Sequence, residues 1–363
     1  MNNCHSAVDK NTRCYYPNMD LMRYVMAIAV VIAHINELAS FNIPFFISSY
    51  EAVGGFFALS GFLMYPNYKR HDNLCKYTTQ RAKRILPPYF FIVVVAAFSL
   101  SSVSLLSLHD YFTNRGFWQY LAANISFLNW LHPTLPGVFS GEAYYNSAVN
   151  GALWTMKVEW CLYFSVPAFV WITSKFHRLR CEWLAWAIIL FSVSYRLLLT
   201  KLYHTTGIEI YNILSRQFFG QLAFFYSGML IYFVRDVFRR NLGLMFLSGI
   251  ILYLISTLSI ESSILLNPIA LSMLVMVISL FPKDPVMLRH NNNVSYEIYL
   301  FHCPIIKLSV YLGISQYSGW VEITFVGICT IALSLIAHHS WELITSTYQQ
   351  HRSRNKVKLH DNH

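Results

Sequence analysis

Residues 21–39 read Leu-Met-Arg-Tyr-Val-Met-Ala-Ile-Ala-Val-Val-Ile-Ala-His-Ile-Asn-Glu-Leu-Ala, an apolar run that contains Arg23 and His34. About 20 apolar residues suffice to cross a bilayer as a helix. A charged side chain inside such a segment is costly, so by default it marks a function. Eleven residues are close to three helical turns, which places Arg23 and His34 on one face, about 16 Å apart along the axis. The alternative is a snorkelling arginine and a histidine that only packs between helices.

The rest of the chain is similarly apolar. Of its 363 residues, 55% are hydrophobic and 12% are charged, whereas a soluble domain carries roughly 25% charged residues. Because lipid offers no hydrogen bonds to the backbone, spanning segments are helical. The sequence therefore predicts an all-α, polytopic membrane helix bundle. Its ten expected transmembrane helices cover residues 21–39, 50–66, 85–106, 148–173, 182–199, 216–234, 242–260, 264–281, 294–313 and 320–345.

The distribution of Lys and Arg predicts the orientation. The net charge is +10, but the basic residues form short clusters between apolar runs, which is the positive-inside pattern and not a nucleic-acid surface. We predict that both termini are cytoplasmic. The expected parts are a cytoplasmic N-terminal segment (1–20), a transmembrane domain (21–345) and a basic cytoplasmic tail (346–363), with a basic inner loop at 67–84 and the longest outer loop at 107–147.

Two groups of ionisable residues accompany the predicted spans. Arg81 and Arg84 lie three positions apart at the entry to the third span, where arginine forks are suited to phosphate; the alternative is a topology signal alone. Glu159 and His302 lie within later spans, where such side chains need partners or water. Glu159 and its neighbour Lys157 have the alternative of pairing with other helices. His338 and His339 are interpreted as packing or interface residues.

A glycine-rich stretch opens the second predicted span: Gly54-Gly55-Phe56-Phe57-Ala58-Leu59-Ser60-Gly61-Phe62. Small residues let helices approach closely, so packing alone explains this pattern. The seven cysteines show no C-x-x-C spacing, so neither a zinc site nor a redox pair is predicted.

Taken in this order, the patterns resemble the membrane-bound acyltransferase-3 family, which acylates sugars of bacterial surface glycans. The resemblance covers about residues 18 to 345. It is carried by Arg-x10-His at Arg23 and His34, Phe-Phe-x-Leu-Ser-Gly-Phe at Phe56 to Phe62, Arg-x-x-Arg at Arg81 and Arg84, Trp-Thr-x-x-Val-Glu at Trp154 to Glu159, and Tyr-x-x-Tyr-Leu-x-His at Tyr296 to His302. One departure is Gly54, which stands where such proteins usually have Asp.

The resemblance implies that His34 is the essential histidine and that Arg81 and Arg84 belong to the acyl-CoA side. We expect transfer of an acyl group, acetyl in the first instance, from cytoplasmic acyl-CoA to a sugar hydroxyl of a surface polysaccharide or its lipid-linked precursor. The expected location is the bacterial inner membrane, without a metal. Glu159 is the expected carboxylate behind His34, by analogy with the aspartate of a catalytic triad. Arg23, His302 and Trp154 are supporting residues.

Three questions stay open from the sequence. Direct transfer and an acyl-enzyme are both compatible with an interior histidine. The alternative function is a transporter or flippase for a glycan or acyl precursor, although a transporter needs neither a CoA clamp nor a base. A non-catalytic assembly subunit would leave the buried charges unexplained.

Overall fold

The computed structural model describes residues 16–45, 47–71, 73–139, 148–176, 178–282 and 293–360, the last range by its backbone alone from residue 342. The regular secondary structure of these described residues consists of α-helices and 3-10 helices, which confirms the predicted all-α fold. The α-helices are α1 (Pro17–Leu38), α2 (Ser49–His71), α3 (Leu74–Ser99), α4 (Leu108–Thr113), α5 (Arg115–Ile125), α6 (Trp154–Lys175), α7 (Cys181–Thr206), α8 (Glu209–Ser215), α9 (Phe218–Phe233), α10 (Arg235–Arg240), α11 (Leu242–Ser256), α12 (Ile260–Ser279), α13 (Ser295–Tyr311) and α14 (Gly319–His360).

Each of the ten predicted spans overlaps one long helix of the structure. Five stretches are both long enough and apolar enough to cross a membrane: Asn18–Leu38, Leu74–Val103, Cys181–Thr206, Ile260–Ser279 and Gly319–Trp341. These helices make the chain a membrane protein. The count of ten spans and the cytoplasmic position of both termini stay predictions.

The predicted loops contain more helix than expected. The expected inner loop at 67–84 is wrong as a loop, because α2 runs to His71 and α3 begins at Leu74. Its Lys, Arg and Gln residues are good helix formers and extend the apolar helices past the hydrophobic run. The described part of 107–147 holds α4 and α5, and α14 continues to His360 through part of the predicted tail.

The chain folds into two compact units, each built from separate stretches of sequence. Unit one comprises Met1–Val30, Phe45–Arg81 and Leu153–His290, and unit two comprises Val31–Pro44, Ala82–Ala152 and Asn291–His363.

The core of unit one is the contact between α2 and α9. A Cβ added at Gly61 would lie 1.8 Å from the Phe225 carbonyl oxygen, and one at Gly228 would lie 1.9 Å from that of Ala58. The two helices therefore approach backbone to backbone at two glycines. A Cβ at Gly54 would lie 2.6 Å from the Phe224 ring, so this glycine also lets α9 approach closely. The packing interpretation of the glycine-rich stretch is confirmed.

The core of unit two is α13, which is buried along most of its length and packs against α14. Polar groups lie inside this packing. Ser309 of α13 donates a hydrogen bond to Glu322 of α14, and both residues are fully buried. Such intramembrane polar contacts fix the position of one helix against the next.

Candidate active site

The middle of α13 carries a proline whose missing hydrogen bond is replaced from elsewhere in unit two. Pro304 has no N–H, so the carbonyl of Leu300, four residues earlier, loses its helical donor. The side-chain Nδ2 of Asn150 donates to that carbonyl at 2.8 Å. The Oδ1 of Asn150 accepts from the backbone N–H of Ala152 at 3.1 Å. Asn150 thus connects α13 to the 3-10 helix Gly151–Leu153 next to His302 and Cys303.

The same stretch of α13 meets the end of α1 through two histidines. Nδ1 of His34 lies 2.7 Å from Nε2 of His302. The rings are within 13° of parallel, with centroids 5.0 Å apart, as expected for a hydrogen bond in the plane of both rings. One of the two nitrogens carries the shared proton, and the contact is compatible with donation from either ring. His302 is fully buried, whereas His34 retains partial exposure. The structure therefore brings together the two predicted histidines.

Cys303 completes a three-residue cluster with the histidine pair. Its Sγ lies 3.4 Å from Nδ1 of His34 and 3.3 Å from Nε2 of His302. The main-chain amides of Gly151 and Ala152 also interact with this thiol. Two imidazole nitrogens and a thiol within 4.8 Å of one another are a set that can hold a metal ion. No metal was predicted from the sequence and the cluster was missed there, because Cys303 follows His302 directly and matches no metal-binding spacing.

α13 makes two further polar contacts. Lys307, one turn after Cys303, is 4% exposed and donates to the carbonyl of Ala148. Nδ1 of His338 on α14 lies 3.4 Å from Oε1 of the buried Glu297 on α13. His338 therefore makes a polar contact instead of serving only as a packing residue. A lysine and a glutamate inside predicted spans were the sequence signals for these contacts.

In unit one, Glu159 lies on α6 and accepts a hydrogen bond from the hydroxyl of Tyr163, one turn later. The Tyr163 hydroxyl lies 3.4 Å from the hydroxyl of Ser60. The guanidinium of Arg81 also acts on this phenol. Tyr163 is consequently the residue through which the predicted Glu159 and Arg81 share a polar site. The predicted role of Glu159 behind His34 stays a prediction, since the described partner of Nδ1 of His34 is His302.

The two predicted arginines of α3 differ in their surroundings. Arg81 is 7% exposed and donates to Oε1 of Gln80 at 3.4 Å. Arg84 is exposed and lies close enough to Glu297 to act on it electrostatically. Both are on one helix three positions apart, as predicted. The role of the pair in binding a donor stays a prediction.

The remaining predicted residues lie in unit one. Arg23 forms a 2.6 Å ion pair with Asp20, one turn earlier on α1, and both side chains are 16% exposed. Trp154 is the first residue of α6 and is partly exposed. Neither position by itself assigns a chemical role.

A largely helical membrane fold with a cluster of His34, His302 and Cys303 is compatible with a membrane enzyme. Comparison with known proteins identifies the class of enzyme. The sequence profile described as an acyltransferase domain matches residues 16–339. The chain belongs to this acyltransferase-3 family and is an acyltransferase, with an acyl donor and an acceptor as substrates. The family match favours the enzyme over the transporter alternative.

Two curated relatives are similar to the chain. Nodulation protein 10 of Rhizobium leguminosarum bv. viciae is 24% identical over 369 aligned positions, covering 94% of each protein. The O-acetyl transferase of Shigella phage Sf6 is 24% identical over 157 residues, covering 40% of this chain and 43% of the phage protein. No solved structure matches the chain.

Proposed function

We propose that the chain transfers an acetyl group from acetyl-CoA to a sugar hydroxyl of a surface polysaccharide or its lipid-linked precursor, in the bacterial inner membrane. The observation that carries this proposal is the 2.7 Å contact between His34 and His302. The similarity to an O-acetyl transferase favours acetyl and an oxygen acceptor. The predicted topology puts the donor on the cytoplasmic side and the glycan on the outer side.

In this proposal His34 is the general base. In it, Nδ1–H of His34 donates to Nε2 of His302, which leaves Nε2 of His34 unprotonated and able to accept the proton of the acceptor hydroxyl. The acceptor oxygen attacks the thioester carbonyl while its proton passes to Nε2. The carbon–sulfur bond then breaks, and the CoA thiolate leaves and takes the proton from His34. We also propose that Glu159, which accepts a hydrogen bond from Tyr163, is required for acyl transfer.

The test is the surface glycan of a strain that lacks this chain, analysed by mass spectrometry and complemented with variants. Wild type should restore an acetyl ester that His34→Ala does not restore, although both proteins insert at equal levels. An unchanged glycan in the deletion strain would reject the polysaccharide acceptor. Full restoration by His34→Ala would remove His34 from the mechanism.

The donor side is tested on purified protein by calorimetry with acetyl-CoA. Arg81 and Arg84 are proposed to hold the CoA phosphates. Each charged hydrogen bond is worth about 1.5–3 kcal/mol, so the double Gln variant should bind roughly a hundredfold more weakly or worse. Lys at both positions should rescue only in part, because an ammonium lacks the bidentate fork. Lys83→Gln, exposed between them on α3, is the matched control. Equal binding by the double variant would leave the arginines as topology signals only.

A further inference from the structure

A polar cavity of about 730 Å³ lies within unit one. It is formed where α2 and α12 begin and where α7, α8 and α11 end, with Tyr50, Arg196, Arg216 and Asn267 among its lining residues. The predicted topology places all of these helix ends on the outer side. A cavity of this size accommodates a sugar or a short glycan.

Two arginines of this cavity have no acidic partner. Among the residues that the structure describes, neither Arg196 nor Arg216 forms an ion pair or a side-chain hydrogen bond. The guanidinium of Arg196 lies over the ring of Tyr50, 5.0 Å from its centroid. Its Nη1 is buried and has no hydrogen-bond partner in the described part of the chain. A buried guanidinium N–H needs an acceptor, and an anionic ligand in the cavity would supply one.

Glu51 also lines the cavity, and both of its carboxylate oxygens already accept hydrogen bonds from neighbouring residues. Oε1 of Glu51 accepts from the hydroxyl of Tyr253 at 2.9 Å and from Nδ2 of Asn267 at 3.1 Å. Its Oε2 accepts from the backbone N–H of Ser48 at 2.9 Å and from the Ser48 hydroxyl at 2.7 Å. Glu51 therefore caps α2 and ties it to α11 and α12, and in the described part of the chain it forms no ion pair with either arginine.

Two other carboxylates lie near the cavity and are also engaged. Glu209 accepts from Nδ2 of Asn212 at 2.7 Å. Glu261 lies close enough to interact with His204. Neither forms an ion pair with Arg196 or Arg216, so the positive charge of the two guanidinium groups remains available.

The backbone that carries Arg216 is held in place. Nε2 of Gln221, which is fully buried, donates to the carbonyl of Arg216 at 3.0 Å and lies 3.5 Å from the hydroxyl of Tyr50. A Cβ at Gly220 would lie 1.8 Å from the carbonyl oxygen of Ser215, so the turn between α8 and α9 is closely packed. Such support fixes a binding site before its ligand arrives.

We propose that this cavity binds an anionic group of the acyl acceptor through Arg196 and Arg216. The inference rests on the proposed function and names the class of acceptor: a glycan that bears a carboxylate, as in an acidic sugar, or a phosphate, as in a lipid-linked precursor. Arginine forks recognise both groups by paired charged hydrogen bonds. Tyr50 supplies an aromatic face beside them.

The experiment measures binding of three probes to the full-length protein in detergent by calorimetry: trigalacturonic acid, neutral galactotriose and inorganic pyrophosphate. Wild type should bind one or both anions and not galactotriose. Arg196→Gln with Arg216→Gln should weaken anion binding at least a hundredfold, whereas Arg239→Gln, exposed on α10, should not change it. Binding of trigalacturonate alone identifies the carboxylate source, and binding of pyrophosphate alone identifies the phosphate source.

If neither anion binds wild type, or if the double variant binds an anion as tightly as wild type does, the proposal is overturned. Acetyl-CoA binding by the double variant is the folding control and should equal that of wild type. The two proposals fail separately. If only the cavity proposal is wrong, wild type binds neither anion but still acetylates glycan. If the proposed function is wrong, wild type acetylates no glycan, whether or not the cavity binds an anion.

Discussion

Nδ1 of His34, near the end of α1, lies 2.7 Å from Nε2 of His302, in the middle of α13. Each histidine thus has one ring nitrogen committed to the other. Only one nitrogen of the pair carries the shared proton, so the tautomers of the two rings are coupled: when Nδ1–H of His34 donates to His302, Nε2 of His34 is unprotonated and can accept a proton. A histidine fixed in one tautomer and one ring orientation is prepared for proton transfer at its other nitrogen.

This relationship predicts that His302 is a positioning residue. His302→Ala should reduce acetyl transfer by roughly 10²–10⁴-fold, because the base would lose its preferred tautomer. The effect should fall on kcat, with the KM for acetyl-CoA nearly unchanged, and His302→Gln should recover part of the rate through its side-chain amide. His339→Ala, exposed on α14, is the control. Wild-type kcat in a well-folded His302→Ala protein would contradict the role.

The second prediction concerns the carbonyl freed by Pro304. Asn150→Ala should destabilise the protein by about 1–3 kcal/mol, because the Leu300 carbonyl would be buried without its donor. Pro304→Ala restores a backbone N–H at position 304. In that background, Asn150→Ala should cost clearly less, since the helix itself satisfies the carbonyl.

Thermal unfolding of the four proteins of this double-mutant cycle in detergent measures the coupling. Asn241→Ala removes a comparable side-chain contact to a backbone carbonyl at an exposed position and is the matched control. Additive effects of Asn150→Ala and Pro304→Ala would show that Asn150 acts in some other way.

The third prediction concerns the contact between α2 and α9. Gly61→Ala and Gly228→Ala should each lower the unfolding temperature and the yield of folded protein, because their Cβ atoms would lie 1.8 and 1.9 Å from backbone oxygens. Relief requires the helices to separate, at a cost of typically about 1–3 kcal/mol or more. Gly243→Ala on α11 meets nothing within 4 Å and should be neutral or slightly stabilising. Equal stability of all three variants would contradict the close approach.

The sequence predicted the fold class and part of the site for physical reasons. Apolar runs of membrane length specify helices, and ionisable residues within them drew attention to His34, His302 and Glu159. The prediction of a loop at 67–84 was wrong, because α2 and α3 both extend into it. Hydropathy shows which residues are apolar enough for lipid, but not where a helix begins or ends. Asn150 and Cys303 were missed because their significance depends on contacts with residues far away in the chain: Asn150 contacts Leu300, 150 positions along, and Cys303 contacts His34, 269 positions back.

The last prediction uses the geometry of the His34, His302 and Cys303 cluster. Two imidazole nitrogens and one thiolate form a ligand set for Zn²⁺, which binds nitrogen at about 2.0–2.1 Å and sulfur at about 2.3 Å. Binding between the two imidazole nitrogens, now 2.7 Å apart, would require the rings to rotate away from each other. Added Zn²⁺ should therefore inhibit acetyl transfer by occupying the nitrogen of His34 that faces His302, and a chelator should reverse the inhibition.

Removing the thiol separates this site from nonspecific zinc effects. Cys303→Ser should need at least tenfold more Zn²⁺ for half inhibition, because a hydroxyl is a much poorer zinc ligand than a thiolate. Cys161→Ser removes an exposed thiol outside the cluster and should leave the inhibition unchanged. Equal zinc sensitivity in Cys303→Ser and wild type would exclude the cluster as the zinc site. Activation by Zn²⁺, with loss of both metal and activity in Cys303→Ser, would show instead that the cluster is a working metal centre and that His34 does not act as a free base.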